Sequence, residues 1–238
     1  HLSLRRQRQM CIRDRTQYSD YMKSAKKSSS KDGAAMVTRV GKKIAAATEQ
    51  YLRNNGLESE IKNFAWEFNL VNDPQVNAFC MPGGKIVVYE GLMQLVSSDD
   101  ELAVVVGHEV AHAVAKHSNE RMSQQLMAQY GAQILGQALS NKSAAVQKIG
   151  ASVYGLGAQY GVMLPFSRKH ESEADYMGLV FMAMAGYNPA VAVNFWQKMS
   201  AGKSGSTPEF MSTHPSDATR INEIKQHLPE IEKYRVKK

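Results

Sequence analysis

His108-Glu109-Val110-Ala111-His112 is the stretch on which the reading of this chain turns. On an α-helix, residues four apart are separated by only about 40° around the axis, so the two imidazoles point the same way and can share one ion. Two neutral imidazoles leave a divalent zinc ion short of a four-ligand shell, and the carboxylate beside them is placed to act on water rather than to bind the ion. Upstream, Ser98-Asp99-Asp100-Glu101 reads as a capping box with Ser98 as N-cap, so a helix starts there. From Leu102 to Val114 that helix is apolar nearly all round, the composition of a helix buried in a core. A carboxylate such as Glu109 carries a large desolvation penalty in that setting, and a divalent cation offsets it. The alternative is a histidine pair on an ordinary amphipathic helix.

A further ligand is needed. In Ser167-Arg168-Lys169-His170-Glu171-Ser172-Glu173-Ala174-Asp175, Glu171 and Asp175 again have i, i+4 spacing and share one helical face, whereas Glu173 points elsewhere. Glu171 from this second helix completes a His₂Glu set and leaves the fourth position for water, as a catalytic zinc site requires. Asp175, one turn on, is suited to accept the remaining N–H of a ligand histidine and fix its tautomer. Without the upstream motif, the three acids would read as a solvated charged face.

With HEVAH, SRKHESEAD and the later Thr213-His214-Pro215 in place, the chain resembles metallopeptidase family forty-eight from about Val37 to Leu228. The resemblance implies a gluzincin endopeptidase. It assigns His108, His112 and Glu171 to one Zn²⁺ per chain, Glu109 to the general base, and Asp175 to the carboxylate behind a ligand histidine. The family's ExxxD pattern places the ligand at Glu171, in agreement with the helical geometry. His214 matches a histidine that in some relatives occupies the fourth zinc position and holds the enzyme latent. It can instead steady an oxyanion, or simply make the turn before Pro215. Arg220 orients that loop or is a solvent-exposed helix arginine.

Asn77-Ala78-Phe79 with Met81, and Lys85 through Tyr89, read as two short strands around Pro82-Gly83-Gly84. They resemble the strand that borders the cleft of zinc peptidases and pairs with extended substrate through its backbone. The same hairpin can pack the active-site helix, and the two roles are compatible. His117, His170 and His227 are expected at helix termini and surfaces. Cys80 reads as a lone buried thiol, Cys11 falls in a doubtful leading segment, and Met177, Met182 and Met184 read as core.

These placements predict a zinc metalloendopeptidase acting on unfolded or misfolded protein and peptide substrates in envelope quality control. The competing classes are a catalytically silent peptide-binding or chaperone-like module, and a non-peptide zinc hydrolase. The formal charge of +7 suggests nucleic acid or membrane, but residues 1–31 hold nine Lys and Arg against two acids, leaving twenty of each sign from Asp32 onward. The folded part is neutral, so nucleic-acid binding has no support.

Residues 1–31 read as a disordered basic tail. The first fifteen lack the apolar run of a signal peptide and resemble translated adapter readthrough, and Lys23 to Lys31 reads as a flexible linker or, alternatively, a basic membrane-surface segment. A lost native N-terminus would allow membrane association through a lipidated cysteine, and the expected location is the periplasm or outer membrane of a bacterium, as a lipoprotein. Residues 32–238 are expected to form one metallopeptidase domain. Its fold class is α+β, a mainly helical gluzincin with a short sheet preceding the HExxH helix. Ala34 to Asn54 is predicted helical, Phe64 to Leu70 a strand, and His117 to Pro165 two helices divided near Ser140-Asn141-Lys142. A further helix follows Asn188-Pro189 to Ser200, Gly202 to Pro208 is a mobile loop, and a last helix opens near Ser216. No run of 18 uninterrupted apolar residues occurs, which excludes the multi-span branch of the family.

Overall fold

The computed structural model of the chain describes residues 18–81, 83–201, 208–214 and 218–236. It is mainly helical with one small sheet. Residues 18–24 form helix α1, followed by α2 (Lys31–Asn54), α3 (Glu58–Ile61), β1 (Glu67–Val71), β2 (Ala78–Met81), β3 (Lys85–Tyr89) and α4 (Glu90–Met93). Then come α5 (Asp99–Val114), α6 (His117–Ala138), α7 (Ala144–Ala158), a π-helical turn (Gln159–Met163) and α8 (Leu164–Met184). The chain closes with α9 (Val191–Ala201), α10 (Glu209–Thr213) and α11 (Ala218–Ile231). Two compact units result: one is the chain up to Val114 together with Ala174 onward, and the other is Ala115–Glu173.

In the first unit the sheet has the order β1-β3-β2. β1 runs parallel to β3, with Leu70 opposite Val88, and β2 runs antiparallel to β3, with Ala78 opposite Val88 and Cys80 opposite Ile86. Ile86, Val87 and Val88 are fully buried, so β3 is covered on both faces and reads as a continuous apolar run. The hairpin turn carries Gly83 and Gly84 at φ +82 and +80, a conformation that costs glycine little. β2 is an edge strand.

Helix α2 begins at N-cap Ser30, whose hydroxyl accepts from the Gly33 N–H at 3.1 Å. It buries Val37, Val40 and Ile44 at helical spacing and ends before Gly56, at φ +73. α5 is buried along Leu102–Ala111, and all three acids of its first turn are engaged. Asp99 takes a two-pronged bond from Arg39 at 2.6 and 2.7 Å, Asp100 accepts the Asn188 N–H at 3.0 Å, and Glu101 pairs with Lys198 at 2.8 Å. The capping box forms as expected at Ser98, whose hydroxyl accepts from the Glu101 N–H, while the Glu101 carboxylate reaches one residue further back to the Ser97 N–H.

Part of the supposed tail is structured. Tyr18, Tyr21, Met22 and Ala25 recur at helical spacing and form a small apolar cluster with Val71, Val87 and Phe79, and Lys27 bridges to Val71. Burial of that stripe on the sheet replaces the flexible linker that composition suggested for Lys23 to Lys31. The first fifteen residues and Gly202 to Thr207 lie outside the described residues. The second unit is an αα-hairpin, α6 and α7 with the start of α8, and its helices divide at Leu139–Ser143, as the Ser140-Asn141-Lys142 signal predicts.

Candidate metal centre

His108 and His112 lie on the buried face of α5, one turn apart, with His112 Nε2 3.0 Å from His108 Nε2. His214, at the end of α10, brings its Nδ1 to 3.3 Å from the same His108 nitrogen. Asp175 on α8 stands behind His108, with Oδ1 3.0 Å from Nδ1. Burial opposes ionisation of Asp175, but the charge and hydrogen bonds of Arg220, with the bond from His108, hold its carboxyl below the usual carboxylate range. An ionised carboxylate requires a donor, so the His108 proton sits on Nδ1 and Nε2 presents a lone pair to the cluster. An Arg220 nitrogen also lies 3.4 Å from His108 Nδ1, but its hydrogen is directed to Asp175 Oδ1 at 2.8 Å.

Glu171 precedes Asp175 by one turn on the unbroken helix α8 and is buried. Its carboxylate oxygen and one nitrogen each from His108, His112 and His214 all lie within 4.8 Å of one another. Three imidazoles crowded nitrogen to nitrogen make poor mutual hydrogen bonds, because the single His108 Nε2 lone pair is approached by both His112 Nε2 and His214 Nδ1 and cannot serve two donors well, whereas in the other tautomers each ring turns a lone pair inward. The same lone pairs beside a carboxylate are a metal donor set, so the residues fit a zinc ion.

Glu109 sits beside this group. The N–H of Cys80 on edge strand β2 donates to its Oε2 at 3.3 Å, and His214 Nε2 is 3.4 Å from its Oε1. Burial, with the Glu109 charge added, pushes the Cys80 thiol up, as expected for an inert cysteine.

Arg220 is buried, which corrects the reading of a solvent-exposed helix arginine. It binds both Asp175 oxygens, donates to the His214 carbonyl at 3.3 Å and lies over the Trp196 ring at 4.7 Å. His117 stands at the first residue of α6, as expected of a helix terminus, but neither it nor His170 is on the surface. Both are buried, with rings stacked at 4.2 Å. His170 Nε2 bonds Glu120 at 2.8 Å and His117 Nε2 reaches Glu173 at 3.4 Å, and these partners are what allow two polar rings to be buried. Glu173 thus faces away from the centre.

Of the predicted substrate strand, Asn77 accepts the Tyr89 N–H through its carbonyl at 3.1 Å, Ala78 is buried, and the Phe79 ring packs edge-on to Tyr21 and Tyr89. What this strand offers a ligand is therefore its backbone edge.

Several site residues escape sequence reasoning. Phe210 stacks on His214 at 4.6 Å, and Trp196 stands edge-on to His108 at 5.5 Å. Phe210 precedes His214 by four residues, a spacing that could have marked it, whereas nothing local in sequence marks Trp196. Gly107 and Gly178 form the crossing of α5 and α8. A Cβ on Gly107 would meet the Gly178 carbonyl oxygen at 2.9 Å, and one on Gly178 would meet the His108 nitrogen at 2.9 Å. Glycine inside a helical pattern immediately before a ligand histidine is the signal that could have found them.

A buried helix carrying HExxH, an acidic second helix and a histidine loop around one donor set define a metallopeptidase domain. Residues 38–228 match the model of Peptidase family M48, and the chain belongs to that family. Over 82% of its length it is 36% identical to the mitochondrial metalloendopeptidase OMA1 of Schizosaccharomyces pombe, covering 53% of that protein. It is 40% identical to the mitochondrial metalloendopeptidase OMA1 of Arabidopsis thaliana over 71% of the chain and 33% of that protein. The β-barrel assembly-enhancing protease of Yersinia pestis is 33% identical over 68% of the chain and 36% of that protein. The chain thus spans between a third and about half of these relatives' length. The expected bacterial periplasmic or outer-membrane lipoprotein is overturned by the relatives from fungi, plants and animals, which are mitochondrial enzymes.

Proposed function

We propose that the chain is the catalytic domain of a zinc-dependent endopeptidase acting on unfolded or misfolded polypeptides, in a mitochondrial setting like that of its named relatives. The observation that carries this reading is the convergence of His108, His112 and Glu171 beside the Glu109 carboxylate. When bound, zinc supplies a Lewis acid that brings the pKa of water toward neutrality and polarises a peptide carbonyl. Glu109 takes the proton from the attacking water and returns it to the leaving amine. Its orientation is kept by the Cys80 N–H. Asp175 holds the His108 proton on Nδ1, and Arg220 keeps Asp175 ionised. An extended substrate aligns along the backbone edge at Asn77-Ala78-Phe79, a pairing largely blind to substrate sequence.

His214 has two candidate roles, and the approach of its Nδ1 to His108 Nε2 favours its holding the ion together with the other three donors, a latent arrangement in which substrate would have to displace it. His214→Ala then raises basal activity; a fall would assign His214 to transition-state support instead. Casein cleavage that phenanthroline stops and added zinc restores tests the function as a whole. Cleavage that survives chelation removes the metal from the mechanism, and no cleavage by zinc-loaded protein favours a silent binding module or a non-peptide hydrolase.

A further inference from the structure

The hairpin of α6 and α7 packs through an inner face that includes Gly131 and Tyr154, whose hydroxyl donates to the Ala128 carbonyl at 3.2 Å, and Leu139 against Gly150. Another face is left apolar and exposed. On α7, Val146, Ile149, Val153 and Leu156 are all exposed, Ile149 and Val153 at 63% and 64%, and at 3.6 residues per turn they fall within an arc of about 80°. On α6, Leu126, Tyr130 and Ile134 are likewise exposed, Tyr130 at 63%. Each stripe lies about 120° to the same rotational side of its helix's inner face, and because the helices run antiparallel, both open on one side of the hairpin. A contiguous apolar surface of this kind marks an interaction site.

Charge identifies the occupant. From Met122 to Ser167 the sequence holds no Asp or Glu, and its charged residues are Lys142, in the turn, and Lys148 on α7. Lys148 lies about 120° round α7 from the centre of its stripe, so the cation left to meet a ligand there is Lys142 in the turn. With no carboxylate in the segment to repel it, an anionic lipid surface complements the face. Neither helix is long and apolar enough to cross a membrane, and the 15 residues of α7 rise about 22 Å against a hydrocarbon core of about 30 Å. We propose that this face of the α6–α7 hairpin lies on the surface of a bilayer containing anionic lipid, its apolar stripes at the headgroup–acyl boundary and Lys142 of the turn among the headgroups.

The test is flotation of the full chain with phosphatidylcholine vesicles, with and without phosphatidylglycerol. The chain floats with the anionic vesicles. Ile149→Glu with Val153→Glu abolishes flotation, Lys142→Gln weakens it about fivefold, and Lys148→Gln, off the stripe, leaves it unchanged. Tyr130→Trp, which leaves the stripe apolar, shifts its emission to the blue on the same vesicles. Four results overturn the proposal: no vesicle binding, equal binding to neutral vesicles, binding that survives both glutamates with no shift at Trp, or a dimer that those glutamates dissociate.

Discussion

Arg220 concentrates the electrostatics of the centre in one side chain. Its guanidinium satisfies Asp175, holds the His214 carbonyl and rests on Trp196. A buried ion pair is weak evidence for net stability, yet removing one partner strands the other charge at a cost of about 3–5 kcal/mol. Arg220→Ala should therefore lower stability by about that amount in denaturant titration. It should also weaken zinc binding about 10–100-fold in the surviving folded protein, because Asp175 no longer fixes the His108 tautomer. Unchanged affinity would detach Arg220 from the metal centre. At this scale the cluster of candidate donors was legible because i, i+4 spacing is a property of one helix, which places His108 with His112 and Glu171 with Asp175. Phe210, Trp196 and the full role of Arg220 were not. Trp196 meets His108, and Arg220 meets Asp175, across long stretches of sequence, while Phe210 stands four residues before His214 on a five-residue helix too short to show a period.

The element that matters most is α5. Its crossing with α8 at Gly107 and Gly178 leaves no room for a Cβ. Gly178→Ala should cost about 1–3 kcal/mol through overpacking and lower zinc affinity by moving Asp175 and Glu171 away from His108; thermal melts with and without zinc measure both, and a variant with wild-type affinity would count against this crossing. The start of α5 carries a pH dependence. Burial works against ionisation of Glu101, but Lys198 and the Ser97 N–H hold its carboxyl below its ordinary value of 4.5. Its contribution is complete above that ordinary value and is lost as pH falls through the lowered one. Glu101→Gln should cost about 1 kcal/mol near neutrality and flatten the acid limb of the stability profile between those two values; an unchanged limb would contradict the assignment. Capping box, hairpin turn and helix division were legible because each is written within a few residues. Helix α1 was not, because its apolar stripe follows a basic run and has meaning only against the sheet it covers.

For the whole molecule, a metal ion held by segments from α5, α8 and α10 would be a ligand of the folded state alone. Free zinc a hundredfold above its dissociation constant should add about 2.7 kcal/mol, or about 5–10 °C in Tm for a chain of this size; calorimetry before and after chelation measures it, and a Tm indifferent to zinc would contradict a folded-state site. The family and its chemistry were legible from three motifs. Location was not, since the residues of a metallopeptidase domain carry no address, and the bacterial expectation gave way to mitochondrial relatives. The most direct test is casein cleavage by Glu109→Gln at zinc content matched to wild type. The variant should bind zinc and cleave nothing, because the ligands remain and the proton acceptor is gone. Cleavage at the wild-type rate by zinc-loaded Glu109→Gln protein would contradict the mechanism outright.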